Sequence, residues 1–424
     1  MKSRAEGTAF QLAPALLLAA LLALAMLAWA GAAGASSGDD RSGASTRSDD
    51  DDDDGDDNDN KGGPGAVFGM TNSAAGNSVT AFRRDSDGRI RRVGSFPTGG
   101  MGSGVLENNA TGLLLGDKTQ QSPTDLGGGS RFLFAVNAGS SSITVFRRDG
   151  AQLRRVELEQ STGGNINHPI SLTLYDDVLY VLNGPTSNCM GGTPTISGFR
   201  VSNSGRLTPI SGSTQPVPGG AGSGCAHVTF DLEGEILIVS ERGFDNLATY
   251  RVDDSGRAGP PQNNATTEIG PFGMNFTKKN VLLTAVNNGA APNLGGTASY
   301  KVNENGMLTP LQAMATRNFR SDTCWLEITD NHKYAYTANF QTGDISSYRV
   351  GKDGRLVLMN PVAAVVNGAS GAFDLALVGS RFLYDIDSNQ GTIVAWRIRS
   401  DGSLVEVDRD NVGFAPGVFG LAAT

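Results

Sequence analysis

Residues 334–356 read YAYTANFQTGDISSYRVGKDGRL, and this stretch decides the fold. An apolar strand ends in Asn339, a short loop follows, and a second strand ends in the aromatic Tyr348 followed by Arg349. A Gly turn and a third short strand complete the unit. The same phrase recurs along the chain, as in VLLTAVN…ASYKVNENGML, LYVLN…ISGFRVSNSGRL and FLFAVN…ITVFRRDGAQL. Its aromatic anchors are Phe82, Phe146, Phe199, Tyr250, Tyr300, Tyr348 and Trp396, spaced by 64, 53, 51, 50, 48 and 48 residues. Gly88, Gly205, Gly256, Gly306, Gly354 and Gly402 each lie six residues beyond an anchor, and Gly150 lies four beyond its own. Such a Gly adopts positive φ without steric cost, which a tight hairpin needs.

A further apolar segment precedes most units: PISLTLY, HVTFDL, PFGMNFT, WLEITD and FDLALV. Four short strands per roughly 50 residues, repeated seven times, predict an all-β, seven-bladed β-propeller over residues 66–424. The first unit lacks its innermost strand and begins at Val67–Asn72, while Val418–Leu421 near the C-terminus has no partner. That tail is predicted to complete the first blade and close the ring, which removes a sheet edge. The second unit carries extra sequence over Leu106–Gly129, rich in Gly, Asn, Thr and Gln, and is read as an exposed loop.

The N-terminal part has another character. Lys2 and Arg4 precede an uncharged stretch from Gly7 to Gly38 containing the apolar run Leu16–Ala30, and Ala33-Gly34-Ala35 follows. Residues 1–35 read as a secretory signal peptide, and an uncleaved membrane anchor is the competing reading. Residues 36–65 are Asp-, Gly- and Ser-rich, with six consecutive carboxylates at Asp49–Asp54, and are predicted to form a disordered acidic linker. Asp50, Asp52, Asp54 and Gly55 resemble the start of a calcium loop, but Lys61 stands where the bidentate Glu belongs. Together these features predict a secreted or envelope-associated protein.

The 424 residues include 57 Gly and only 18% charged residues, and the net charge is −9. Residues 1–60 hold 12 acids and 4 bases, leaving 31 and 30 for the repeats. A nearly neutral body excludes a general nucleic-acid binder. The three histidines and three cysteines show no zinc spacing, and no phosphate loop or nucleophile elbow occurs. No metal or cofactor is therefore predicted.

Propeller topology puts the loops into each innermost strand and out of each second strand on one face, around the channel mouth. His168, His227, Glu241, Arg242, Arg317 and Arg320 all belong to that face, whereas His332 belongs to an opposite turn. His227 and Glu241 end adjacent antiparallel strands of one blade. A carboxylate beside an imidazole fixes its tautomer and raises its basicity, so the pair is the candidate base. Arg242, Arg320 and His168 are candidate substrate-binding residues, with an Arg steadying an oxyanion. The competing reading leaves His227 satisfying a backbone group at the channel lip and Glu241 solvated. Cys189 and Cys225 sit in neighbouring mouth loops and are expected to form a disulfide, leaving Cys324 unpaired. Asn109, Asn264 and Asn275 begin N-x-T sequons.

The strand–Asn, aromatic–Arg and Asp-Gly-Arg-Leu phrases over residues 65–424 resemble the seven-bladed lactonase family, which includes propeller-type 6-phosphogluconolactonases and carboxymuconate-lactonizing enzymes. Those proteins commonly show Gly-x-Gly-Pro-Arg-His before the fourth blade and a Glu after the next strand. Here Gly222-Ser223-Gly224-Cys225-Ala226-His227 is followed by Glu241. The resemblance implies a small lactone or carboxylate substrate, turned over by a monomeric hydrolase or cycloisomerase. Cys225-Ala226 replaces the family's Pro-Arg pair, so an unphosphorylated lactone is expected. A non-catalytic extracellular binding or scaffold propeller is the alternative function, and a calcium-dependent hydrolase is a third.

Overall fold

Strands rich in Val, Leu, Tyr and Phe, separated by Gly turns, pair with their sequence neighbours wherever two residues suffice to reverse the chain. In the computed structural model, which describes residues 63–116, 130–160, 167–411 and 419–424, they form seven antiparallel sheets. From the axis outwards, blade 1 is Leu421–Ala423, Gly65–Met70, Ser78–Arg84 and Ile90–Pro97. Blade 2 is Leu113–Gly116, Phe132–Asn137, Ser142–Asp149 and Gln152–Gln160. Blade 3 is Pro169–Tyr175, Val178–Asn183 and Thr195–Val201, with Leu207–Pro209 and Gln215–Pro216 sharing the outer edge. Blade 4 is Cys225–Phe230, Ile236–Glu241, Asn246–Arg251 and Gln262–Ala265. Blade 5 is Pro271–Phe276, Val281–Val286 and Gly296–Val302, edged by Leu308–Pro310 and Thr316–Arg317. Blade 6 is Thr323–Ile328, Tyr334–Asn339, Asp344–Val350 and Leu356–Val365. Blade 7 is Ala372–Val378, Phe382–Asp387, Thr392–Ile398 and Leu404–Asn411. The fold is an all-β, seven-bladed propeller.

Blades 1, 3, 4, 6 and 7 are each sealed to the one before through the same device. The turn Gly of one blade lies against the second strand of the preceding blade, and a Cβ on Gly402 would meet the Tyr334 ring at 2.6 Å. Gly402 also has φ +79°, so Gly is required there twice over. Tyr hydroxyls tie these contacts: Tyr180 donates to the Gly256 carbonyl at 2.8 Å, Tyr336 to Gly402 at 2.9 Å and Tyr384 to Gly88 at 2.9 Å. The last link joins blade 7 to blade 1.

The ring closes through the C-terminal strand. Val67, Phe68 and Gly69 pair with Ala423, Ala422 and Leu421, as expected from the unpartnered tail; Val418 lies outside the described residues. The second unit departs from the expectation of an exposed loop. Glu107 and Asn109 are buried, and Leu113–Gly116 is the innermost strand of blade 2. Four apolar residues sitting fifteen residues before the next strand carry no repeat signature, which hid them. The signal peptide, nearly all of the acidic linker and the calcium-loop resemblance lie outside the described residues, and the first strand starts at Gly65.

The recurrent Asn has a structural cause. Asn137, Asn183 and Asn339 occupy one register position, four residues past the partner of the aromatic anchor. Asn339 Nδ2 donates to Asp344 and Ser346, both at 2.9 Å, and so ties the start of the third strand. Asn137 does the same with Ser142 and Thr144. Glu241 and Asp387 hold this position in blades 4 and 7.

Candidate active site at the channel mouth

The buried segment Glu107–Thr111 crosses the channel. Asn108 N–H donates to the Ser187 carbonyl of blade 3 at 3.0 Å, and Ala110 N–H donates to Ala226 of blade 4 at 3.0 Å. The Trp325 indole of blade 6 donates to the Asn109 carbonyl at 2.8 Å, and Leu172 N–H donates to Thr111. One strap therefore touches three blades. Trp325 fills the adjacent space against Phe373, with ring centroids 4.1 Å apart, and against Phe272 at 5.4 Å. Thr111 takes φ +59°, an unfavourable conformation for a β-branched residue that the surrounding bonds hold in place.

Beneath the strap lies a cavity of about 80 Å³, lined in part by His227, Asn275, Glu327 and Asp374. It has room for water but not for a ligand, whose pockets run to several hundred Å³. Burial, with Asp374 nearby, pushes the Glu327 carboxyl up to about 8.

His227 belongs to this interior. Its Nδ1 accepts from the Met274 N–H of blade 5 at 3.0 Å, which leaves the proton on Nε2, 3.0 Å from Thr111 Oγ1. Burial lowers its pKa to about 3, so the ring stays neutral. Both nitrogens are occupied. Glu241 faces the opposite blade interface: Oε2 accepts from Gly219 N–H and Oε1 from Asn246 Nδ2, each at 2.7 Å. The expected His227–Glu241 pair is thus not brought together. A bulge at Ala226 sets Glu241 opposite Cys225 and His227 opposite Ser240, so the two side chains leave the sheet on different faces. Glu241 is buried, with a carboxyl raised by desolvation, rather than solvated.

A different imidazole–carboxylate pair stands at the mouth. His168 Nε2 lies 3.1 Å from Glu107 Oε2. Glu107 is wholly buried while the His168 side chain keeps 18% of its exposure. The other carboxylate oxygen of Glu107 accepts from Ser103 Oγ, and Ser103 is held by Asn72, whose Oδ1 accepts Ser103 N–H at 2.9 Å. His168 itself has φ +48° ahead of Pro169. Sequence reading placed His168 at the mouth but missed Glu107; its one signal was a lone acid four residues after Ser103 in a stretch read as loop.

The mouth arginines differ in what they are free to do. Arg320 binds Asp344 through Nε and Nη2, and Arg317 binds Glu268 at 2.6 Å as well as the Leu294 carbonyl. Both are neutralised. Arg242 makes no ion pair among the described residues, and its buried Nε has no hydrogen-bond partner. Its charge acts on Asp322 and Cys324 across the mouth. His332 lies half-buried in the opposite turn at φ +53°. Among the described residues no three His, Cys, Asp or Glu side chains are grouped to hold a metal. The three sequon asparagines serve the interior: Asn109 bonds the Ile170 carbonyl, Asn264 the Leu247 carbonyl and Asn275 the Glu327 carboxylate.

Cys189 and Cys225 form the expected disulfide, with Cα atoms 5.3 Å apart, and Cys324 is a buried thiol. The bridge ties the blade 3 mouth loop to the blade 4 strand carrying His227. Closing a 36-residue separation stabilises by about 4 kcal/mol in the chain-entropy picture. Unreduced, denatured protein should titrate one thiol and reduced protein three; three thiols without reductant would refute the bridge.

The family described as Lactonase, 7-bladed beta-propeller matches residues 192–292 and 279–374. No curated protein matches the chain. Among solved structures, the periplasmic gluconolactonase of Pseudomonas aeruginosa is similar at 17% identity and TM-score 0.63, over 85% of this chain and 99% of that one. A putative 6-phosphogluconolactonase of Bacteroides fragilis is similar at 14% identity and TM-score 0.57, over 85% and 98%. A Lactobacillus plantarum protein gives 17% identity and TM-score 0.61 over the same shares. At these identities the structures speak for the fold alone. The seven closed blades establish the propeller, and over residues 192–374 the chain is similar to the seven-bladed lactonase family.

Proposed function

We propose that this propeller hydrolyses a small unphosphorylated lactone at the channel mouth, with His168 as general base. The observation that carries the reading is the 3.1 Å contact between the partly exposed His168 and the buried Glu107. A carboxylate on Nε2 orients the ring and leaves Nδ1 for proton transfer. In the reaction Nδ1 takes a proton from water as the water oxygen bonds to the carbonyl carbon. The ring C–O bond then breaks, and the leaving alkoxide takes the proton from the imidazolium. Arg242, free of an ion pair, is the cation suited to the developing oxyanion. His227 and Glu241, whose polar atoms are committed elsewhere, support the mouth from below.

The family match favours lactone chemistry over the alternative of a non-catalytic scaffold. The disulfide and the apolar N-terminal run favour an exported, envelope-associated or secreted monomer. The test is a lactone panel assayed with wild type, His168→Ala and His227→Ala. His168→Ala is expected to lower kcat/KM at least a hundredfold. Equal rates for wild type and His168→Ala would overturn the assigned base, and no turnover across the panel would favour the scaffold.

A further inference from the structure

Thirteen large apolar side chains are exposed among the described residues, and eight of them lie on mouth-face loops. Chance scatter over a propeller's faces and rim would not gather them there. Five form an arc over blades 3 to 6: Met190, Phe244, Ile269, Leu294 and Phe319, exposed by 37% to 62%. Hydrogen bonds link the successive loops that carry them. Met190 adjoins Gly191, whose N–H donates to Ala221 near the Gly219 that packs on Phe244. Asp245, beside Phe244, accepts from Gly270 N–H at 2.9 Å, next to Ile269. Arg317 bridges Glu268 and the Leu294 carbonyl, and Gly295 N–H donates to Arg320, next to Phe319.

The arc surrounds a mouth whose positive charge is largely spent internally. Arg317 and Arg320, the cations that could grip a phosphate or sugar acid, are held by Glu268 and Asp344. The five side chains together offer on the order of 400 Å² of apolar surface. That is about half of what one partner buries in a stable protein–protein contact, but it is ample for a ligand's hydrocarbon tail.

We infer that the mouth selects lactones bearing an extended alkyl or aryl substituent, over sugar lactones and phosphorylated sugar lactones. The inference rests on the hydrolase reading above and names its substrate class. A methylene fully removed from water is worth about fourfold in kcat/KM. At half burial, lengthening a δ-lactone side chain by four methylenes should raise kcat/KM roughly fifteenfold.

The experiment compares a δ-lactone series of increasing chain length with gluconolactone and its 6-phosphate, and measures binding of a long-chain lactam by calorimetry. Phe244→Ser and Phe319→Ser are expected to keep the wild-type Tm, flatten the chain-length slope and weaken lactam binding several-fold. Lactam binding that depends on both phenylalanines, without turnover of any lactone, supports the inference and overturns the hydrolase reading. A flat series with preferred turnover of a sugar lactone overturns the inference and leaves the hydrolase reading standing. A flat series accompanied by retention on phosphatidylglycerol vesicles, or by dimerisation lost in both variants, assigns the arc to a membrane or a second copy and also overturns the inference.

Discussion

Removing residues 419–424 is expected to abolish folding. These six residues supply the innermost strand of blade 1, and without them Gly65–Met70 is left with an open edge facing the channel. Phe419, Leu421, Ala422 and Ala423 are all buried. Loss of a buried Phe and a buried Leu alone costs about 5–10 kcal/mol, comparable to the whole stability of a domain. The polar losses add to this. Arg84, itself buried, donates through Nε to the Thr424 carbonyl at 2.8 Å, and Asp374 Oδ2 accepts Leu421 N–H at 2.9 Å. Both partners would remain buried with a charge less well satisfied. The truncated chain should be insoluble, or soluble only with lost near-UV dichroism and no cooperative melt. A monomer with the wild-type Tm would show that the ring holds without its closing strand.

How far the sequence revealed this molecule depended on whether a feature repeats. The aromatic anchors recur in all seven units and the turn glycines at one offset in six, so blade number, strand order and ring closure were all legible. The disulfide was legible only as a candidate, because topology puts Cys189 and Cys225 at neighbouring entrances of the mouth without fixing their distance. What escaped is what occurs once or leaves no mark in residue type. The strap at Glu107–Thr111 has no counterpart in other blades, and Leu113–Gly116, blade 2's copy of the innermost strand, is short and lies in low-complexity surroundings that look like loop. The bulge at Ala226 recurs as a register shift at the start of the innermost strand in blades 3, 5, 6 and 7, but no residue type marks it in the sequence, and it reverses which face His227 occupies relative to Glu241. Period-two alternation read through a bulge gives the wrong face for every residue beyond it. Glu241 in turn is explained by repetition rather than chemistry, since it fills the position of the capping Asn in three other blades.

Glu107→Gln is expected to reduce kcat for a hydrolysed lactone by roughly 10²–10⁴, with KM little changed. The amide preserves size, so the buried strap and its bonds to Ser187, Ala226 and Trp325 should persist. What it removes is the negative charge beside Nε2, which steadies the imidazolium formed when His168 accepts a proton. The amide can also present its NH₂ to the ring, favouring the tautomer with the proton on Nδ1 and so blocking the nitrogen that must act as base. A residue acting through another should not add its loss to that of its partner. The double variant Glu107→Gln, His168→Ala should therefore be no slower than His168→Ala alone. Glu107→Asp, which restores charge at a shorter reach, should recover part of kcat. If Glu107→Gln instead raises KM at constant kcat, or if the two losses multiply, Glu107 serves only to anchor the strap through Ser103. The base would then have to be sought elsewhere around the mouth.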